Sequence, residues 1–231
     1  ETVDRAKAAL EGFEGRLGIH GPFIGLDIAC PDPDAAVVIG KRYAEAVAAA
    51  AALGARQMVI HSPFNNWHEY NRFNFIQPGY DSLVAKVADD VKALLGPALK
   101  LGEEHGVQMV LENIQDITPQ IRREMVEIVG SPALALSIDT GHAQIAQRAS
   151  DAPPVDVYVR DAGDLLKHVH LQDTDGYADR HWAPGEGHIE WMEVFRAVAA
   201  LDSAPHLVLE LKRHEDIPAG FAYLQSIGAA V

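Results

Sequence analysis

LSIDTGH, at residues 136–142, is an apolar run that ends in an acid and, three residues later, a histidine. Three further apolar runs also end in a residue of metal-ligand type: Glu112 in MVLEN at 109–113, His170 in HVHLQD at 168–173 and Glu210 in LVLEL at 207–211. Functional side chains of parallel α/β proteins collect at the carboxyl ends of strands, where loops open to solvent. The four segments therefore predict buried strands whose terminal acids and imidazoles converge on one mouth.

Strand-like and helix-like segments alternate along the chain. The predicted strands are Leu17–Phe23, Gln57–Phe64, 107–112, 134–139, 166–172 and 206–211. The predicted helices are 2–14, 34–53, near 81–105, near 119–129, near 157–165 and 190–201. The strand segments are short and apolar on both faces, which is typical of a parallel sheet covered by helices. We therefore predict an α/β protein, a (β/α)8 TIM barrel, as one domain over residues 1–231. Six βα units are readable, and we expect the first two to be absent from this sequence.

Composition narrows the classes of partner. A chain of 231 residues with 48% hydrophobic residues can bury a large core as one domain. The formal charge of −14 argues against nucleic acid and anionic membrane surfaces as partners. The single cysteine, Cys30, fits a reducing compartment. No apolar run of about 18 residues and no signal-peptide pattern occurs, so we predict a cytoplasmic protein without a membrane partner. Assembly into a homo-oligomer stays open.

Nine residues at or beyond the predicted strand ends are of metal-ligand type: His20, His61, Glu112, Asp139, His142, His170, Asp179, His181 and Glu210. Carboxylates with imidazoles suit zinc, manganese, iron, cobalt or magnesium. A buried carboxylate is costly unless it is paired, protonated or bound to a metal. The alternative explanation for the buried acids is a salt bridge, in which Arg180 and Lys212 could each neutralise one acid. We predict divalent metal ions, with zinc first among them.

These residues lie in motifs that resemble a known family. With HGPF, VIHSPF, LENI, IDTGHA, HLQD, DRHWAPGEG and LELK, the chain resembles the xylose-isomerase-like barrel superfamily, which includes sugar isomerases, 3-epimerases and the endonuclease IV family. For a single-metal epimerase the resemblance implies four ligands: Glu112, Asp139, His170 and Glu210. For the endonuclease IV family it implies nine ligands around three metals, and all nine positions are filled here. The three implied sites are His20, His61 and Glu112; Glu112, Asp139, His170 and Glu210; and His142, Asp179 and His181.

Three functions follow from these ligand sets. Because close metals can activate water and clamp a phosphoryl oxygen, the filled nine-residue set favours a hydrolase of small phosphoesters, in which a bridging hydroxide attacks phosphorus. Its catalytic groups would be Glu112, Glu210 and His142. The alternative is a sugar or sugar-phosphate isomerase or epimerase that uses Glu112 and Glu210 as acid and base. Family epimerases usually carry an arginine where this chain has His181, which weakens that alternative. A non-catalytic ligand-binding barrel is the third hypothesis.

The substrate is predicted to be a small phosphoester or sugar. The loop after His61, FNNWHEYNRFNFIQPGY at residues 64–80, gathers aromatic and basic side chains next to the proposed mouth. Such loops can close over a ligand and exclude water. The predicted substrate-binding residues are Trp67, His68, Tyr70, Arg72 and Arg180. A local hydrophobic cluster or a subunit contact is the alternative for this loop.

Overall fold

The computed structural model describes residues 2–67 and 82–229. The strands in this part of the chain are β1 (Gly18–His20), β2 (Gln57–His61), β3 (Gln108–Glu112), β4 (Leu134–Asp139), β5 (Leu166–Leu171) and β6 (His206–Leu209). The α-helices are α1 (Thr2–Ala9), α2 (Pro33–Leu53), α3 (Leu83–His105), α4 (Pro119–Val129), α5 (Thr140–Ser150), α6 (Val155–Ala162), α7 (Trp191–Ala199) and α8 (Ile217–Ser226). Two single-turn 3-10 helices span Gly163–Leu165 and His214–Asp216. The prediction of an α/β fold built on parallel strands is confirmed.

The chain divides into two compact units. The first unit comprises Glu1–Pro63, Ile76–Leu111 and Met125–Ala135. The second unit comprises Phe64–Phe75, Glu112–Glu124 and Leu136–Val231. The predicted single domain stays a prediction.

The first unit holds β1, β2 and nearly all of β3, in that order. β1 and β2 are parallel, with Ile19 opposite Met58. α2 packs against α3 so closely that a Cβ added to Gly40 would lie 2.7 Å from the carbonyl oxygen of Leu94. Glycine is therefore required where these two helices meet.

The second unit holds most of β4, then β5 and β6, in that order and all parallel. The register places Asp139 opposite His170, and His170 opposite Val208. Every residue of β4 is buried, as its apolar sequence predicts. β6 differs, because Leu207 and Val208 are 37% and 42% exposed.

The structure adds two helices that the sequence did not predict, α5 and α8. α5 begins directly after β4 because the side chain of Asp139 caps it, accepting the backbone N–H of His142 at 2.7 Å. The strands β1, β2 and β6 are shorter than predicted, and the predicted helix 2–14 ends at Ala9. In the described ranges, the helices are too short or too polar to cross a bilayer.

A buried ion pair fixes the loop that follows β3. Arg122 lies 3.3 Å from the carboxylate of Asp116, and both side chains are at most 1% exposed. Arg122 also donates to the carbonyl oxygen of Ser137 at 2.6 Å, and the Tyr158 hydroxyl donates to the Asp116 carbonyl oxygen. These contacts tie the loop to β4 and α6, and the loop begins immediately after Glu112.

Candidate metal centre

Four side chains of the second unit converge where its strands end. Glu112 is the last residue of β3, Asp139 the last of β4, His170 lies one residue before the end of β5, and Glu210 follows β6. Each offers one ligand atom, and the four atoms all lie within 4.8 Å of one another. The structure thus brings together the four residues that the strand ends predicted. We refer to them as the four-residue group.

His170 lies between two carboxylates. Its Nδ1 is 2.5 Å from Glu112 Oε1 and 2.9 Å from Glu210 Oε2. Burial disfavours the charged ring, but hydrogen bonds to both carboxylates outweigh it and raise the pKa of His170 to about 10. Burial also disfavours the charged form of Glu112, which acts to raise its pKa. The hydrogen bond with His170 and the charge of that ring nevertheless hold the pKa of Glu112 below its ordinary value. A proton on His170 Nδ1 therefore occupies the position between these acids.

The two carboxylate oxygens of Asp139 differ in their hydrogen bonding. Oδ1 accepts the His142 backbone N–H at 2.7 Å and the Gln172 amide at 3.2 Å. Oδ2 is buried and has no hydrogen-bond partner in the described part of the protein. Burial is the main reason that the pKa of Asp139 rises to about 6. A buried carboxylate oxygen without a donor is costly, and a bound cation would remove that cost.

The chemistry of the four-residue group fits a divalent cation. Three carboxylates and one imidazole make a donor set that zinc, manganese, iron, cobalt and magnesium all accept. An imidazole must be neutral to ligate, so a cation here would displace the proton on His170. The prediction of a metal-ligand group is supported, while the identity and number of the ions stay predictions.

A second cluster lies beside the first in the same unit. Asp179 Oδ2 is 3.0 Å from His181 Nε2 and 3.5 Å from His142 Nε2. The opposite ring nitrogens contact backbone carbonyl oxygens, His142 Nδ1 that of Asn113 at 2.9 Å and His181 Nδ1 that of Glu210 at 3.1 Å. The structure thus brings the three residues of the predicted third metal site together.

In this second cluster, the acids raise the pKa values of the histidines, and the histidines lower the pKa of Asp179. Burial lowers the pKa of His142, but the negative charges of Asp139 and Asp179 outweigh it and raise the pKa to about 10. The hydrogen bond to Asp179 raises the pKa of His181 to about 9. Burial acts to raise the pKa of Asp179, but the bonds from both imidazoles hold it far below its usual range. At neutral pH and without a metal, these shifts favour two imidazoliums paired with one carboxylate.

His20 and His61 lie together in the first unit. Their ring centroids are 5.1 Å apart, and the ring of Phe23 stacks on His61 at 4.5 Å. His20 Nδ1 is 2.8 Å from the carbonyl oxygen of Gly21. Their predicted ligation of a metal shared with Glu112, a residue of the second unit, stays a prediction.

The predicted substrate-binding residues stay predictions. Trp67 is 64% exposed, while His68, Tyr70 and Arg72 lie outside the described residues. The guanidinium of Arg180 binds the carboxylate of Asp175 at 2.9 Å and lies over the ring of Trp182, 5.4 Å from its centroid. The suggestion that Arg180 neutralises a ligand acid is therefore wrong, because its observed partner is Asp175.

Two buried amides support the four-residue group and were missed from the sequence. The Asn113 side chain donates to the Asp139 carbonyl oxygen at 3.0 Å and accepts the Asp139 backbone N–H at 2.9 Å. Gln172 contacts the carboxylates of both Asp139 and Asp179. Each amide is adjacent, or nearly so, to a ligand in the sequence, as LEN and HLQ show. That closeness is the signal that could have revealed them.

Comparison with known proteins assigns nearly the whole chain to one family. Residues 1–228 match the family described as Xylose isomerase-like TIM barrel. A solved D-tagatose 3-epimerase-like protein superposes with a TM-score of 0.78 at 22% identity, covering 97% of this chain and 81% of that one. The TTHB071 protein from Thermus thermophilus, solved after soaking with ZnCl2, gives a TM-score of 0.74 at 29% identity, covering 97% and 82%.

Two of the curated relatives carry an enzyme name, fructoselysine 3-epimerase, in Escherichia coli O157:H7 and in Shigella flexneri. The fructoselysine 3-epimerase of Escherichia coli O157:H7 is 37% identical over 71 residues. The match covers 31% of this chain and 24% of that enzyme, so this chain matches only about a quarter of that enzyme's length.

Proposed function

Because the chain belongs to the xylose isomerase-like TIM barrel family, we propose that it is a divalent-metal-dependent sugar epimerase or isomerase. The observation that carries the proposal is the pair of carboxylates, Glu112 and Glu210, on the same nitrogen of His170 within one cation-binding group. The prediction of an enzyme is confirmed. The epimerase names support the second of the predicted reactions better than phosphoester hydrolysis, which the ligand count ranked first.

Proton transfer next to a carbonyl needs two acid-base groups and one electrophile. Epimerisation breaks one C–H bond and forms another at the same carbon on the opposite face, so one group removes a proton and a second returns one. Glu112 and Glu210 supply two such groups on separate strands. Their environments differ, since Glu112 is 2% exposed and Glu210 is 33% exposed, so the two carboxylates are not equivalent as acid and base.

Asp139 and His170 would hold the cation together with the two glutamates. A bound divalent ion would supply Lewis acidity toward the substrate carbonyl and so acidify the neighbouring C–H. Asp139 offers Oδ2, the oxygen that lacks a protein donor in the described residues. The zinc-soaked relative makes zinc a reasonable first ion to test, alongside manganese.

Solvent isotope exchange tests the proposed function. With Mn²⁺ or Zn²⁺ and a ketose in D2O, the protein is expected to place deuterium on a carbon next to the carbonyl, because the removed proton exchanges with solvent. NMR and mass spectrometry of the recovered sugar would measure this. The panel should include free ketoses, amine-bearing ketoses and inososes, and the control is the same protein freed of metal by a chelator. A metal-loaded protein that exchanges no proton in the whole panel would contradict the proposal.

A phosphoester hydrolase is the second candidate, and the second cluster favours it. One carboxylate, that of Asp179, faces the Nε2 atoms of two imidazoles, and this is a ligand arrangement that a single-metal epimerase does not need. Under this candidate the protein is expected to bind about three metal ions, falling to about two in Asp179→Ala/His181→Ala. Elemental analysis after desalting gives the count. About one ion per chain, unchanged in the double variant, would rule the hydrolase out.

The remaining assignments also stay proposals. A small sugar is the proposed substrate class, and the epimerase-named relatives support it. A cytoplasmic location, a homo-oligomer and the third hypothesis, a binding barrel without turnover, stay predictions.

A further inference from the structure

Gln172 is a fully buried amide between the four-residue group and the second cluster. It follows β5 directly and is 0% exposed. Its Nε2 donates to Asp139 Oδ1 at 3.2 Å and to Asp179 Oδ1 at 2.7 Å. Its Oε1 accepts the backbone N–H of His181 at 3.1 Å. One side chain therefore contacts a candidate ligand, a neighbouring acid and the loop that carries that acid.

The bonding capacity of the amide fixes its orientation. A carboxamide nitrogen has two hydrogens, and both are used on carboxylates that can only accept when ionised. Rotation of the amide by half a turn would set Oε1 of Gln172 against the two acids and leave the His181 N–H facing a donor. The observed orientation is thus the one that satisfies all three neighbours.

Gln172 selects which carboxylate oxygens remain available. It engages Oδ1 of Asp139, leaving Oδ2 as the oxygen that lacks a partner in the described residues. It engages Oδ1 of Asp179, leaving Oδ2 toward His142 and His181. The same amide therefore constrains the rotation of Asp179 and, together with the His142 N–H on the same Oδ1, that of Asp139.

The Gln172 amide fits against Gly141 because glycine has no side chain. A Cβ added there would lie 2.3 to 2.5 Å from the Gln172 amide atoms. Even an alanine at 141 would therefore displace the amide. The Gln172 backbone is held separately, since its N–H and carbonyl oxygen both bond the hydroxyl of Thr140, at 3.1 and 2.7 Å.

We propose that Gln172 is a positioning residue for the metal centre, one that presents Asp139 Oδ2 to the cation and links the centre to the Asp179–His181 loop. The inference rests on the proposed function, since it requires that the four-residue group bind a divalent ion. Residues that hydrogen-bond to a ligand typically contribute about 10-fold to 100-fold to metal affinity.

Cobalt binding to the full chain tests this role. Gln172→Met keeps the length and removes every amide contact, so it is expected to weaken Co²⁺ binding by about 10-fold to 100-fold and to change the visible spectrum of the bound ion. Competition with a chromophoric chelator gives the affinity. Gln108→Met is the matched control, because it makes the same substitution at the start of β3, where the amide donates to the carbonyl oxygen of Pro132 at 3.2 Å. It should leave Co²⁺ affinity within about threefold.

Gly141→Ala provides a second route that does not depend on the folding of Gln172→Met. It should displace the amide and weaken Co²⁺ binding in the same direction, and the double variant should be no weaker than Gln172→Met alone, since both changes act through one contact. Folded variants with wild-type Co²⁺ affinity and spectrum would overturn the role of Gln172 and leave the proposed function standing. Failure of the unaltered protein to bind Co²⁺ would instead overturn the metal centre itself.

Discussion

Glu210→Gln is expected to slow substrate proton exchange by about 10²-fold to 10⁴-fold, the usual contribution of one acid-base group. Glutamine keeps an oxygen that can contact a cation but cannot accept and return a proton at neutral pH. Glu210 follows β6 and is 33% exposed, and glutamine has nearly the same volume, so the substitution removes one of the two carboxylates on His170 without opening a cavity. The measurement is the rate of deuterium incorporation at saturating Mn²⁺, with the metal content of the same sample determined in parallel.

Two companion variants separate chemistry from metal loss and charge. Glu112→Gln should slow exchange to a similar extent, but it should also weaken metal binding more, because Glu112 is buried and lies against His170 at 2.5 Å. Glu215→Gln removes an acid a few residues beyond β6 whose side chain is 71% exposed, and the exchange rate should not change. A metal-loaded Glu210→Gln protein within tenfold of the unaltered rate would show that Glu210 is not one of the two proton-transfer groups.

The second large effect is expected on stability, at Asp173. Its carboxylate accepts the backbone N–H groups of Gly185 at 2.9 Å and Ile189 at 3.3 Å, and the indole N–H of Trp191 at 2.9 Å. Asp173 and Trp191 are 0% and 2% exposed, so water has little access to the donors that alanine would leave behind. Each buried donor without a partner costs about 1–3 kcal/mol, and we expect Asp173→Ala to lower the free energy of unfolding by about 3–5 kcal/mol.

Urea unfolding followed by tryptophan fluorescence would measure this loss. Asp175→Ala is the matched control in the same loop, because that carboxylate bonds Arg180 at the surface, where water can replace it. It should leave the unfolding midpoint nearly unchanged. A loss of less than about 1 kcal/mol in Asp173→Ala would mean that the loop's buried N–H groups find other acceptors.

The sequence predicted the strand ends well, for a physical reason. Glu112, Asp139 and Glu210 each close an apolar run, and an acid in that context needs compensation that a neutral loop residue does not. Since parallel strands end on one side of a sheet, listing those acids with His170 was enough to anticipate a group whose ligand atoms lie within 4.8 Å of one another.

The supporting residues and the reaction class were harder to foresee. Gln172 and Asp173 carry no periodic signal, because their partners lie 7 to 33 residues away along the chain in loops and helix ends. Helix α5 was missed because its cap is Asp139, a residue already explained as a ligand. The filled nine-residue set favoured hydrolysis, yet residue types alone do not say whether Asp179 faces a cation or two imidazoliums.

The close contact between Gly141 and Gln172 also limits which residues each position can accept in evolution. Any side chain at 141 would overlap the volume that the Gln172 amide fills. A larger residue at 141 would displace the Gln172 amide or require a smaller residue at 172, and either change would remove the bonds to Asp139 and Asp179. In a library of variants, or among descendants of this protein, the two positions should change as a pair or remain fixed together.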